Sequence, residues 1–299
     1  MINKENSNKF IPLIIIGSPR SGTNALRDSL TSIVDFETWP CDEINGIWRY
    51  KNISIGYDNL SKQNINSHSS NYIHNQFRKQ WELSGRPKYL VEKTTANSLR
   101  PEFVYSIFPN AKYIFIARDG SEVVKSATKR WNGEFEYDLL EYWIQKIKYT
   151  PIADIPYYFF DIGSRRIKNM INHESMTHWG PNHPTLDLFR NSSTTEDLSA
   201  LQWSLCLISS WYFFRSIPRR NVIFITYDSY LAHPEKFVKK LSSLLGEEID
   251  TEENISSFKK NILLKERESI EYFPSNAIIK KYYESATKIY RQIRILSNF

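Results

Sequence analysis

Residues Gly17 to Asn24, GSPRSGTN, place two glycines, three hydroxyl side chains and an arginine in one short loop, a set suited to holding an anion. Gly17 and Gly22 let the backbone turn and approach a ligand closely. Successive N–H groups around Ser21, Gly22, Thr23 and Asn24, with Ser18 and Pro19 ahead of them, can then converge on phosphate oxygens, helped by the dipole of a following helix. A Walker A loop needs a lysine directly after its second glycine. Here Thr23 and Asn24 follow Gly22, and Arg20 supplies the positive charge, which argues against transfer of a γ-phosphoryl group. A second cationic set lies at Arg118, Ser126 and Arg130. Ser126 and Arg130 are four apart and share one helix face, and arginine offers forked hydrogen bonds to phosphate oxygens. Two such sets could hold two phosphate groups.

The elements that position these residues follow from the hydrophobic pattern. The run Ile11 to Ile16 predicts a strand buried on both faces, and Ala25, Leu26, Leu30 and Ile33 recur at helical spacing behind the loop. Further strands are predicted at Lys88 to Glu92, Lys112 to Ala117 and Asn221 to Thr226, each followed by a helix signal: Pro101 in a first turn, Asp119 with Glu122 as a capping-box-like start, and Pro234 ahead of an apolar stripe that ends at Gly246. Strands alternating with helices imply a parallel sheet covered on both sides, with ligands at the carboxyl ends of the strands. Arg20, Lys93, Arg118 and Tyr227 all fall there. The expected architecture is α/β, a P-loop-like parallel sheet flanked by helices, in a single domain over residues 1–299. Residues 52–72, rich in Asn and Ser, read as a loop. Residues 132–200, aromatic-rich and without strand-helix rhythm, read as a mostly helical acceptor-binding insertion.

With 299 residues, 41% of them hydrophobic and 14% aromatic, the chain can bury a large core. Its 39 Lys and Arg against 33 Asp and Glu leave a net charge of +6, which favours polyanionic ligands such as nucleotides or acidic glycans. No basic run with interleaved aromatics points to nucleic acid. Cys41 and Cys206 stand far apart and in no metal-ligand spacing, so neither a disulfide framework nor a metal site is expected, and a cytoplasmic location fits. The Ile11 to Ile16 run is too short to span a bilayer.

Three segments together resemble the sulfotransferases that use 3′-phosphoadenosine 5′-phosphosulfate (PAPS), particularly bacterial members related to the tyrosylprotein and glycan sulfotransferases. GSPRSGT resembles that family's 5′-phosphosulfate loop. FPNAKYIFIARDGSEVVKSATKRW is similar to its 3′-phosphate segment, with Arg118 ending a strand and Ser126 eight residues later on a helix. VIFITYDSYLAHPEKFVKKLSSLLG is similar to its late strand, acidic turn and helix. CDEIN and EKTTANSLR lie between them.

The resemblance implies sulfuryl transfer from PAPS to an acceptor hydroxyl without a metal. Its physical demands are those of phosphoryl transfer: in-line attack, with charge growing on the oxygen that bridges to the leaving phosphate. Lys93 matches the family's lysine at this place, and Lys93 with Arg20 is expected to stabilise the leaving group. Two carboxylates compete as general base: Glu43, matching tyrosylprotein-type relatives, and Glu92, matching heparan-type ones. Glu43 is favoured and Asp42 is an outside candidate. His178 is a candidate acceptor contact, and Tyr227 either orients the adenosine or packs. The family's basic C-terminal loop closes on the 3′-phosphate; here Lys259, Lys260 and Lys265 are present and its glycines are absent. A glycan or glycolipid is the first expectation for the acceptor, since aromatic side chains stack on sugar faces. The cluster Trp203, Trp211, Tyr212, Phe213 and Phe214 is expected to pack a core helix. The competing readings are a P-loop nucleotide kinase, which the missing lysine disfavours, and a non-catalytic nucleotide- or glycan-binding protein, which Lys93 and Glu43 speak against.

Overall fold

A computed structural model describes residues 10–131, 179–262 and 271–297. In chain order the elements are β1 (Ile11–Ile16), α1 (Thr23–Leu30), β2 (Phe36–Thr38), α2 (Asn45–Trp48), α3 (Ser67–Leu83), β3 (Tyr89–Lys93), α4 (Pro101–Ile107), β4 (Lys112–Ala117) and α5 (Gly120–Trp131). They continue as α6 (Pro184–Asp187), α7 (Thr195–Phe214), β5 (Val222–Thr226), α8 (Tyr227–Ala232), α9 (Pro234–Leu245), α10 (Glu252–Lys260) and α11 (Ala277–Ser297). The strands form one sheet in the order β2-β3-β1-β4-β5, and every pairing is parallel. The chain goes from β1 to one edge, returns through β3, and then builds β4 and β5 on the other side. The order therefore reverses at β1, and the carboxyl ends of β1, β3 and β4 open onto one crevice.

Strand periodicity divides the core into two layers. Ile14, Ile16, Leu90, Tyr113 and Phe115 face α3, α4, α7 and α11, while Leu13, Ile15, Val91, Ile114 and Ile116 face α1, α9 and α10. Because α7 is apolar on nearly every side it can be buried along its length, and Trp203, Trp211 and Phe214 join the core as expected, with Tyr212 left exposed. Pro234 opens α9 and Gly246 ends it in the left-handed region at φ 73, which lets the chain turn away.

The sequence pattern and the fold differ in three places. The fifth strand, β2, is only three residues long and pairs Phe36 with Tyr89 of β3; so short a segment shows no alternation to read. The loop expected over 52–72 gives way at Ser67 to α3. Asn66 caps that helix by accepting from Ser69 N at 2.9 Å, and a polar first turn hides the stripe Ile73, Phe77 and Trp81 behind it. Lys93, expected just past its strand, is the last residue of β3. Of the expected insertion, 132–178 lie outside the described residues, and 179–200 contain α6 and the start of the core helix α7.

Candidate active site

The cradle after β1 is shaped by close approach. A Cβ on Gly17 would sit 2.8 Å from the Ile116 carbonyl oxygen, and one on Gly22 would meet the Tyr227 ring at 2.1 Å. Gly22 also holds φ 88, and Arg20 shares the left-handed region at φ 64, so the loop curls its N–H groups inward. Ser18 and Ser21 hydroxyls lie 2.5 Å apart and Ser21 N donates to Ser18 O at 3.2 Å. No side chain caps the start of α1, which leaves its first-turn donors to whatever anion the loop receives.

Arg118 leaves β4 beside this cradle. Its Nε donates to Glu122 at 2.7 Å, one terminal nitrogen donates to the Arg20 carbonyl oxygen at 3.2 Å, and its guanidinium stacks 4.5 Å above the Tyr227 ring. Arg20 Nε donates to Ser126 Oγ at 2.8 Å, across to α5. The loop is thus directly joined to Arg118 and to the middle of α5, and Tyr227 at the exit of β5 packs against both Gly22 and Arg118. Arg20 was expected beside Lys93. The left-handed backbone and long side chain carry its guanidinium to Ser126 instead, between the two pockets. Arg130, one turn beyond Ser126, is buried.

On the other side of β1 the end of β3 meets the Cys41–Ile44 turn. Lys93 is 1% exposed, and its ammonium lies 2.9 Å from Asp42 Oδ1 and 3.2 Å from Glu43 Oε1. Arg27 of α1 binds the same Asp42 oxygen at 2.9 Å. Burial alone would raise the Asp42 carboxyl, but Lys93 and Arg27 outweigh it and hold the group below its ordinary value. Glu43 Oε1 also accepts from the Thr95 backbone N at 3.1 Å and the Thr95 hydroxyl at 2.8 Å. All these bonds fall on one oxygen, of a side chain that is 29% exposed. Cys41 is no nucleophile, because burial and the nearby Asp42 and Glu92 carboxylates push its thiol up to about 12.

Glu92 stands apart from this group. Neighbouring strand residues point to opposite faces, so Lys93 faces the α1 layer and Glu92 the α4 and α7 layer. Glu92 is fully buried, accepting from Thr94 Oγ1 at 2.5 Å and Asn97 Nδ2 at 3.0 Å. Behind it Arg100 Nε donates to Asn97 Oδ1 at 2.8 Å and a terminal nitrogen to Asn45 Oδ1 at 2.6 Å, while Asp58 sits 3.6 Å from Arg100 and 3.8 Å from Arg49. Sequence reasoning missed Arg27, Thr94 and Thr95 as partners of the site. The paired threonines following the lysine were the available signal for two of them. His178 and Lys265 lie outside the described residues. Among the described residues, no three or more His, Cys, Asp and Glu group to hold a metal ion, and no helix is long and apolar enough to cross a membrane.

A parallel sheet reversing at its first strand, with a glycine-bounded cradle on the reversal, defines an α/β protein of the P-loop-like kind. Residues 12–155 match the family model described as "Sulfotransferase family", a segment that holds the cradle, the Lys93 group and Arg118. The fold is similar to the solved sulfotransferase STF9 from Mycobacterium avium, at 13% identity and a TM-score of 0.51, over 95% of this chain and 76% of that one. Also similar are a sulfotransferase from Alicyclobacillus acidocaldarius (13% identity, TM-score 0.49, 95% of this chain and 96% of that one) and the sulfotransferase domain of the Synechococcus PCC 7002 olefin synthase (14%, 0.45, 83% and 77%). No curated protein matches the chain by sequence.

Proposed function

We propose that the protein transfers the sulfuryl group of PAPS to an acceptor hydroxyl, leaving 3′-phosphoadenosine 5′-phosphate. The observation that carries this reading is the placement of a buried lysine and an anion cradle on either side of one strand end, with Arg118 and Ser126 beside them. The donor fits what is there: an uncapped helix start and a loop with no room for a Cβ would hold the 5′ end, with Gly17 to Asn24 around it. Arg118, Ser126, Arg130 and Arg20 offer donors to the 3′-phosphate, and Tyr227 shapes the floor between the two ends. The donor supplies an activated sulfur; the chain supplies position and charge.

The partly exposed Glu43 carboxylate takes the acceptor proton as the hydroxyl oxygen attacks sulfur. The bond from sulfur to the bridging oxygen breaks, and its electron pair stays on the 5′-phosphate, whose growing charge Lys93 stabilises. Lys93 begins the cycle shared between two carboxylates, so it must redistribute its bonds toward the bridging oxygen as the donor seats. A glycan or glycolipid hydroxyl is the acceptor class we favour, on the aromatic content of residues 132–178. Thermal unfolding with added 3′-phosphoadenosine 5′-phosphate, set against ATP with Mg²⁺, tests the donor: the adenosine bisphosphate should raise the midpoint by mass action and ATP should do so weakly. Labelled PAPS with a pool of hydroxyl acceptors tests transfer. Release of the desulfated nucleotide without labelled product, or none at all, would overturn the reading.

A further inference from the structure

We infer that Glu92 is a positioning residue: through the Thr94 hydroxyl it holds the backbone of Ile44, and with it the Glu43 carboxylate, in place beside Lys93. The inference rests on the proposed function for its meaning but on bonds of its own. Ile44 N donates to Thr94 Oγ1 at 3.1 Å, and Thr94 Oγ1 donates to Glu92 Oε1 at 2.5 Å. A hydroxyl has one proton. While Glu92 is a carboxylate, that proton has a partner and the lone pairs are left for Ile44.

The other Glu92 oxygen cannot trade places freely. Asn97 donates to it, and the amide of Asn97 is fixed in that sense because its own oxygen accepts from Arg100 Nε. A proton added to Glu92 is therefore directed to the Thr94 side, where the hydroxyl must become an acceptor from both Glu92 and Ile44 and its own proton loses its place. The next residue back along the turn is Glu43. Its loop would be held less firmly and its carboxylate displaced from Lys93 and Thr95.

The surroundings place this switch within reach of ordinary pH. Full burial raises the Glu92 carboxyl to about 7, against the opposing bonds from Thr94 and the Trp48 indole and the Arg100 charge, with Glu43 adding to the rise. The other charged or titratable groups facing it are Cys41 from the turn and Tyr113 from β4, with Asp58 and Arg49 acting through Arg100. Burial lowers Arg100 itself to about 10, so it stays cationic through the range that matters.

Four variants of the full chain test the relay: Glu92→Gln, Thr94→Val, Thr94→Ser and the double Glu92→Gln, Thr94→Val. Glutamine must turn its oxygen to Asn97 and its amide to Thr94, which imitates the protonated acid. Glu92→Gln and Thr94→Val should each lower kcat about tenfold with affinity for 3′-phosphoadenosine 5′-phosphate unchanged, since a base displaced by a fraction of an ångström loses rate rather than donor binding. The double variant should be no worse than Thr94→Val, and Thr94→Ser should restore the rate. The wild-type Ile44 amide resonance should titrate near neutral pH and cease to do so in Glu92→Gln.

Additive losses, or an Ile44 resonance indifferent to Glu92→Gln, would overturn the inference. So would a Glu92→Gln protein that binds donor and turns nothing over while Thr94→Val keeps its rate, because Glu92 would then be the base itself. Should Glu92→Gln fail to fold, the contrast of Thr94→Ser with Thr94→Val and the wild-type Ile44 titration decide. A wild-type protein that does not transfer sulfuryl sinks the proposed function alone, since the Ile44 titration still reports on the relay.

Discussion

At the scale of single residues the site is governed by one buried cation. Lys93 is almost wholly out of water, where a lone ammonium would be costly, and Asp42 and Glu43 offset that cost by pairing with it. Replacing Lys93 with Ala should lower kcat about a hundredfold, the usual loss when a donor aimed at developing charge is removed, and weaken donor affinity much less. Steady-state kinetics beside nucleotide titration measures that split. Glu43→Gln should lose a similar factor of about 10² or more while binding nucleotide normally, because the proton acceptor is gone while Asp42 still pairs with Lys93. Asp42 makes a different prediction. Its carboxyl lies lower in the folded protein than in the unfolded chain, so its stabilisation is present above the ordinary carboxylate range and is lost as pH falls through the folded value. Asp42→Asn should therefore flatten the acid limb of thermal stability as pH falls below the ordinary aspartate value of about 4. The charge types of Lys93, Glu43 and Asp42 were visible in the sequence. Their sharing of one ion cluster was not, because it depends on a turn 50 residues away from the lysine reaching the same strand end. The separation of Glu92 from Lys93 onto opposite faces was hidden as well, since the sequence reads Lys93 as past the strand and only its place at the end of β3 imposes a period of two.

At the scale of elements, three strand-to-helix junctions are pressed into one another. Gly17 abuts β4, Gly22 abuts Tyr227 after β5, and Arg20 and Arg118 bond across from β1 to β4. The apolar runs of β1, β3, β4 and β5 and the proline starts of α4 and α9 announced this framework. What stayed hidden was set by neighbours rather than by pattern. β2 exists because β3 offers it a free edge, and the glycine constraints come from Ile116 and Tyr227, remote in sequence. Gly22→Ala puts a Cβ into the Tyr227 ring and forces a left-handed backbone that costs an alanine about 1 kcal/mol. It should lower the unfolding midpoint and weaken binding of 3′-phosphoadenosine 5′-phosphate. Adding Tyr227→Ala should relieve the clash and leave the backbone term, so the double variant recovers part of the stability but not the whole of it.

At the scale of the molecule, the Arg118 turn is held from outside the sheet by two helices that are distant in sequence. Trp203 of α7 donates its indole N–H to the Arg118 carbonyl oxygen at 3.3 Å, and Gly120 is bare because a Cβ there would lie 2.8 Å from the Trp203 ring and 2.9 Å from Tyr283 of α11. Asp197 near the start of α7 ties the chain just before α11 down to the same place. It accepts from Tyr272 Oη at 2.6 Å, Ser275 Oγ at 2.5 Å, Ser275 N at 3.0 Å and Asn276 N at 3.2 Å, and Tyr272 N in turn donates to Ser121 Oγ at 3.2 Å. Burial would raise this carboxyl, but the bonds from Ser275 and Tyr272 prevail and hold it below its ordinary value. The sign follows: the clamp stabilises the fold above the unfolded carboxylate value and is lost as pH falls through the folded one. Asp197→Ala removes a charged acceptor and leaves several donors without it, so it should destabilise the protein by about 2 kcal/mol in denaturant titration at neutral pH, and by less in acid. Because the clamp ends on Ser121, three residues past Arg118, the same variant should weaken nucleotide binding more than it lowers kcat. A loss of stability with donor affinity intact would show that α7 and α11 support the core without shaping the pocket.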